Sequence, residues 1–457
     1  MAGAELVVLG AGPAGLAAAW RAARRGVSVV VLERADRVGG MAGSFEVAGV
    51  RVDHGSHRLH PATPPSLLAE LRGLLGDDLQ LRPRNGRLRL GGRWIGFPLR
   101  FGELAAALPR GMVVRAGMEA VLAPLRRPRS DTYAEVLRAG LGRTLYESMY
   151  APYAVKLWGL DGDDIDGDQA RKRVTADTAW KVARRVLARP SDGRGRVFYY
   201  PRRGFGQIVE ALADAAAGAG ADVRLGTEVT EVAPGRVRTG SGDEIEAGRV
   251  FSTIPLPVLA RVSRPEPSEA LADAARLRFR AMVLVYAVHE GGRWTGFDAH
   301  YLPGPETPVT RVSEPANYRL SSDDPADRSV LCFEIPCEAG DSLWNAGEDE
   351  VATLVHELTA RHGLPPVRLG GLEVRRLPHV YPVYERGYRA YLEGLDRWAS
   401  GLDGVTTFGR LGLFAHDNTH HALTMGFDAA DALGPAGFDA AAWSRARERF
   451  AAHVVED

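Results

Sequence analysis

The residues with the plainest chemistry lie near the start of the chain, in Gly10-Ala11-Gly12-Pro13-Ala14-Gly15. Gly10 permits a tight turn, Gly12 lets the backbone approach a pyrophosphate, and Gly15 allows a helix to pack closely on a strand. Pro13 suits the first helical position, and the unpaired N–H groups of that helix end favour phosphate. Glu33, with Arg34 beside it, follows about 20 residues on, the distance at which a carboxylate accepts hydrogen bonds from ribose hydroxyls. The chemistry implied is dinucleotide binding.

That chemistry needs a strand, a helix and a second strand to position it. Residues 5–9 (ELVVL) form a short apolar run, an Ala-rich helical stretch continues to Arg25, Gly26 ends it, and VSVVVLE reads as the second buried strand. Strand signals return at 222–232 and 249–255, separated by helical and loop segments with proline punctuation at Pro61–Pro65 and Pro124–Pro128. Gly204-Phe205-Gly206 is a near match to the first turn, but it lacks the third glycine and reads as following no strand. A single dinucleotide site is expected.

After Glu33 the chain continues with Arg37-Val38-Gly39-Gly40-Met41, which resembles the extension of FAD-binding flavoproteins in the superfamily of amine oxidases, protoporphyrinogen oxidases and UDP-galactopyranose mutases. Residues 52–60 (VDHGSHRLH) resemble the loop of that superfamily beside the isoalloxazine ring. The resemblance implies flavin-side roles for Gly55 and Ser56 and puts His57 at the position of a flavin-proximal, catalytic histidine. Residues 409–433 resemble the C-terminal flavin signature, which implies Gly409 beside the ring and Arg410 as a second flavin-proximal, catalytic residue. Asn418 is a good N-cap there, and the helix after it would aim the N–H groups of Thr419 and His420 at the flavin N1/O2 edge. Where the mutases carry Tyr, Asp and Asp, this chain has His416, Asn418 and His420, which weakens a transfer of mutase activity.

The resemblance also implies substrate residues. Tyr150–Gly159 (YAPYAVKLWG) is similar to the Lys-x-Trp-Gly segment of the mutases and brings in Lys156 and Trp158, with Arg173 at the spacing of a substrate arginine. Residues 310–314 (TRVSE) resemble a strand whose arginine, here Arg311, binds the substrate diphosphate. Tyr381 lies in a similar tyrosine-proline segment, Arg410 follows 29 residues later, and His416 is taken with the substrate set. An arginine fork binds phosphate or carboxylate bidentately, and a tyrosine hydroxyl adds a donor to the same group.

Composition sets the outer bounds. The 457 residues carry 57 Lys+Arg and 57 Asp+Glu, a formal net charge of zero, which argues against nucleic-acid binding through bulk positive charge. The neutrality conceals a division: residues 171–203 hold eleven Lys/Arg against Asp177 and Asp192, a net charge of +9. Such a run is most often a solvated helix face; the functional readings are a funnel for a phosphorylated substrate and, not favoured, contact with anionic lipid. Two cysteines, Cys332 and Cys337, give neither a disulfide framework nor a zinc pattern, so a reducing, cytoplasmic compartment is the default and no covalent flavin link through Cys is expected. No metal is expected either: His416 and His420 stand at i, i+4, but the flavin signature accounts for them better. The acidic run 161–168 is out of register for a calcium loop.

The sequence therefore predicts a two-domain α/β flavoprotein. A Rossmann-like FAD domain of glutathione-reductase type would be built from 1–83, 200–258 and 395–457, interleaved with an α+β substrate domain from 84–199 and 259–394. FAD, held non-covalently, would run extended from an adenine end at Glu33 and Val229. The leading expectation is an FAD-dependent oxidoreductase taking a hydride from a polar small-molecule substrate bearing a sugar or phosphate. The alternatives are a redox-neutral mutase using reduced flavin as nucleophile, and a non-enzymatic binding module.

Overall fold

The computed structural model describes residues 3–98, 109–173, 197–435 and 437–455. Most of the basic run, residues 174–196, lies outside the described residues, so its role is an expectation of the sequence alone.

One sheet is built on the first βαβ unit: strand β1 (Ala4–Leu9), helix α1 (Pro13–Ala23) and strand β2 (Val29–Leu32). Four β-branched or leucine residues in a row make β2 buried throughout, as a central parallel strand requires. Five parallel strands run in the order Asp222–Arg224, β2, β1, Glu244–Ser252, Val405–Thr407. An antiparallel meander, Val229–Ala233 and Arg236–Thr239, is added through Glu244–Ser252. The period of two along β1 divides its side chains between two layers. Leu6 and Val8 pack with α1 and the helices Gln207–Gly218 and Thr419–Asp431, whereas Val7 and Leu9 pack with Leu256–Val262 and Tyr388–Ser400.

The run 222–232, read as one strand, is two. Gly226 turns the chain at φ +61°, so Asp222–Arg224 joins the parallel row and Val229–Ala233 starts the meander. The Gly204–Gly206 turn does follow a strand, Val197–Pro201, but that strand pairs antiparallel with Leu79–Pro83. Its donors are spent internally: Phe205 N–H donates to Asp53 Oδ1 (2.9 Å) and Gly206 N–H to Ser44 Oγ (2.7 Å). No phosphate is needed to satisfy them.

A second sheet has the order Leu369–Val383, Arg278–Glu290, Arg328–Cys337, Arg311–Ser313, Ala299–Tyr301, Gly86–Leu90, Arg93–Phe97. Every pairing is antiparallel except Ala299–Tyr301 with Gly86–Leu90. Register sets the cleft wall here: Tyr301 stands opposite Arg311, and Arg311 opposite Glu334, so three cleft-lining residues meet across neighbouring strands. Cys332 and Cys337 are both buried and free in the strand Arg328–Cys337. Among the described residues no helix is long and apolar enough to cross a membrane.

Candidate active site

A single cleft of about 680 Å³ runs from the glycine turn to the second sheet. At one end it is lined by Gly10, Gly12, Pro13, Ala14, Glu33, Arg34, Arg37, Gly40, Met41 and Val229. Gly12 is the N-cap of α1, and a Cβ built on it meets no atom within 4 Å, so the space beside it is open. By contrast, a Cβ on Gly15 would lie 2.0 Å from the Gly10 carbonyl oxygen, which makes Gly15 the packing glycine of the turn. The Glu33 carboxylate accepts from Ala11 N–H and Ala35 N–H, both at 2.9 Å, which fixes its aim. A carboxylate has about four lone-pair sites, so acceptors remain for two ribose hydroxyls.

The middle of the cleft is lined by Ser56 and His57 on one side and by Gly409, Arg410, Asn418 and Thr419 on the other. Asn418 is the N-cap residue of the Thr419–Asp431 helix, as the sequence predicts, and its own N–H meets His421 Nδ1 at 3.2 Å. Two helix N-termini, those of α1 and Thr419–Asp431, thus flank one cavity. They converge because Gly426 lets the helices touch: a Cβ there would fall 2.3 Å from the Ala14 carbonyl oxygen. His57 stacks on Phe205 with ring centroids 5.3 Å apart, and burial, followed by the charge of Arg311, pushes its imidazole down to about 3. It is neutral at any physiological pH.

The far end is an arginine and tyrosine cage. Arg311 is clamped by Glu334 (Nε to Oε1 2.9 Å, Nη2 to Oε2 2.7 Å), and Arg58 reaches Asp298 at 3.2 Å and donates to Tyr301 Oη at 3.0 Å. Burial would raise the Tyr301 phenol, but Arg58, Arg84 and Arg311 outweigh it and bring it down to about 8. Arg84, Arg173 and Arg410 also line the cleft, and among the described residues none of the three has a carboxylate partner. Arg173 and Arg410 each sit 5.1 Å from the Tyr381 ring. Burial, and then the like charge of Arg173, holds Arg410 below the ordinary arginine value. Half-buried positive charge without an ion-pair partner is costly, and an anionic ligand lowers that cost.

Several expected site residues do not reach the cleft wall. Lys156 donates to the carbonyls of Leu302 (2.6 Å) and Val309 (3.1 Å), and burial lowers it to about 8. Trp158 and His416 form an aromatic layer behind Tyr381, at 5.5 and 6.4 Å from its ring. Their aromatic character made them core, and through Tyr381 they support the cleft rather than line it. Gly39 and Gly55 hold positive φ in the loops beside the cleft, and His420 packs against His60 and His421. Arg58, Arg84, Tyr301 and Glu334 were not anticipated. Only Arg58 carried a signal, one position beyond His57; Tyr301 and Glu334 come to Arg311 through strand register, and Arg84 lies in the loop between two strands.

One titratable cluster adjoins the cleft. Asp417 Oδ1 lies 2.9 Å from His453 Nδ1 and 3.2 Å from His421 Nδ1. These are metal-ligating atom types, but the two imidazoles stack at 4.0 Å with planes 14° apart. A metal bonds about 2.0–2.1 Å from a histidine nitrogen and near the ring plane, and no point satisfies both parallel rings. The cluster is a hydrogen-bonded tie in which His453 Nδ1 bonds the Asp417 carboxylate, while His421 Nδ1, which accepts from Asn418 N–H, lies beside it. Burial raises the Asp417 carboxyl, but the neighbouring imidazoles of His421 and His453 outweigh it and hold it below its ordinary range.

The chain is 25% identical to a coproporphyrinogen III oxidase of Propionibacterium freudenreichii subsp. freudenreichii, over 84% of this chain and 82% of that one. In fold it is similar to reduced UDP-galactopyranose mutase (TM-score 0.78, 20% identity, 94% of each chain). It is also similar to putrescine oxidase bound to putrescine (TM-score 0.63, 18% identity, 94% of this chain and 98% of that one). The family model of flavin-containing amine oxidoreductases matches residues 13–361, most of the chain. The chain belongs to that family: it is an oxidoreductase-class enzyme whose cofactor is a flavin.

Proposed function

We propose that this protein binds FAD extended along the cleft and oxidises a small molecule that carries a phosphate or carboxylate. In this reading the adenosine lies between Glu33 and Val229, and the pyrophosphate lies against Gly12 and the α1 N-terminus. The ring lies between the His57 loop and Gly409–Thr419. The FAD-binding unit is the discontinuous set 1–83, 200–258 and 395–457, with the remaining segments forming the substrate side.

One observation carries the reading: a continuous cleft joins a dinucleotide-type turn to three arginines that have no carboxylate ion-pair partner among the described residues. A bound flavin supplies the redox chemistry by accepting a hydride at N5. The residues of the chain do the rest. Arg84, Arg173 and Arg410 hold the anion, and Tyr301 offers an O–H to it. Neutral His57 lies at the ring, where it can take or give a hydrogen bond without adding charge. The Thr419 helix N-terminus favours negative charge developing on the ring edge.

The test is anaerobic addition of sugar nucleotides, phosphorylated or carboxylated small molecules and amines to the yellow protein. Bleaching of the flavin by an anionic compound, with peroxide or reduced acceptor formed on re-aeration, is the expected result. Turnover that requires chemically reduced flavin and transfers no net electrons belongs instead to the mutase reading, which the Arg173–Tyr381–Arg410 stack also suits. Bleaching by simple amines alone would overturn the anionic substrate class.

A further inference from the structure

We propose that the helix Arg110–Leu122 and the turn after it form a docking face for an anionic lipid surface. The helix has no buried residue along its 13 positions. Val114 is 60% exposed, Met118 57%, Val121 72% and Leu122 48%, and Leu125 in the following turn is 81% exposed. At 3.6 residues per turn the four helical positions fall within a stripe about 100° wide, the signature of an amphipathic helix with its apolar side outward. Scattered surface leucines need no explanation, but a contiguous stripe of this kind marks an interaction site.

Charge chooses the occupant. Arg110, Arg115, Arg126 and Arg127 flank the stripe, and none makes an ion pair among the described residues. Glu119, the one acid of the helix, turns inward and accepts from Thr144 N–H at 2.9 Å. Apolar side chains bordered by unopposed arginines fit the boundary between acyl chains and anionic headgroups. A second copy of this chain docked face to face would set the same arginines against one another. Among the described residues no helix is long and apolar enough to cross a bilayer, and in this proposal the face lies on the membrane surface.

The place of the helix gives the docking a consequence. Its half-buried Met112 and Val113 pack on Leu88, Leu90 and Ile95, the same cluster on which Tyr301, a residue of the cleft wall, also packs. The lipid surface would therefore lie about one helix diameter, roughly 10 Å, from the cage end of the cleft.

The flavin-loaded full chain is to be sedimented with vesicles of phosphatidylcholine alone and of phosphatidylcholine mixed with phosphatidylglycerol. The protein should pellet with the mixed vesicles only, and less so as salt rises. Val121→Glu with Leu125→Glu should reduce the vesicle-bound partition roughly tenfold or more. Arg126→Gln and Arg127→Gln should each reduce it about fivefold. Both positions of the apolar pair are exposed, so flavin absorbance and Tm serve as the check that folding is intact. Equal binding by wild type and the Val121→Glu/Leu125→Glu variant overturns the proposal, as does no binding to phosphatidylglycerol vesicles. A wild-type dimer that this variant converts to monomer, with neither form taken up by vesicles, would assign the face to self-association and overturn it as well.

Discussion

At the scale of single residues, the cleft separates glycines that make room for a ligand from glycines that make room for the protein itself. Gly12 belongs to the first kind, since a side chain there meets only open space. Gly12→Val is therefore expected to leave Tm of the flavin-free protein within a degree or two and to abolish retention of yellow flavin on gel filtration. A variant that purifies fully yellow would contradict the pyrophosphate path. Tyr301 yields a pH prediction. Its phenol, held at about 8 by three arginines, loses its donor proton and gains a negative charge above that value. Binding of an anionic substrate should weaken through that range, seen as a rise in KM with alkaline pH, and Tyr301→Phe should remove that limb of the profile. An unchanged limb in the variant would assign the titration to another group. His57, already neutral, should give no inflection near 6.5.

Among the elements, the decisive contact is that of α1 with the Thr419–Asp431 helix. Both helices bring their N-termini to the cleft, and both depend on Gly426 for their close approach. Gly426→Val must push against the Ala14 carbonyl and the Ala17 methyl group, at 2.3 and 2.9 Å from the added carbon. The expected cost is about 1–3 kcal/mol, read as a lower urea midpoint, with weaker flavin retention in the protein that remains folded. Stability equal to wild type would show that the helices can separate without loss. The sequence marked Gly12 and Gly426 alike as glycines in flavin-type segments. Only the helix crossing distinguishes a glycine facing the ligand space from one facing a neighbour.

For the molecule as a whole, legibility followed range. The βαβ turn, Glu33 and the Asn418 cap were readable because each is local: strand, turn and helix within some 30 residues dictate where their atoms point. The cage was not readable, because its residues come from distant segments: Tyr301, Arg311 and Glu334 owe their meeting to strand pairing, and Arg58 and Arg84 reach them from loops. The same limit explains Lys156 and Trp158, rare and conspicuous in the sequence yet turned to carbonyls and to an aromatic layer behind the cleft. It also explains Asp417, whose partner His453 lies 36 residues away in the C-terminal tail. The net charge of zero is common to any arrangement of these residues. What the sequence by itself determined was the family, the flavin and the end of the cleft that the dinucleotide turn builds, because those rest on short-range geometry. What the tertiary structure alone decided was which of the cleft arginines are clamped by a carboxylate, as Arg311 is by Glu334, and which line the cleft without an ion pair among the described residues. Ion pairing depends on distances across the fold, and no spacing along the chain encodes them.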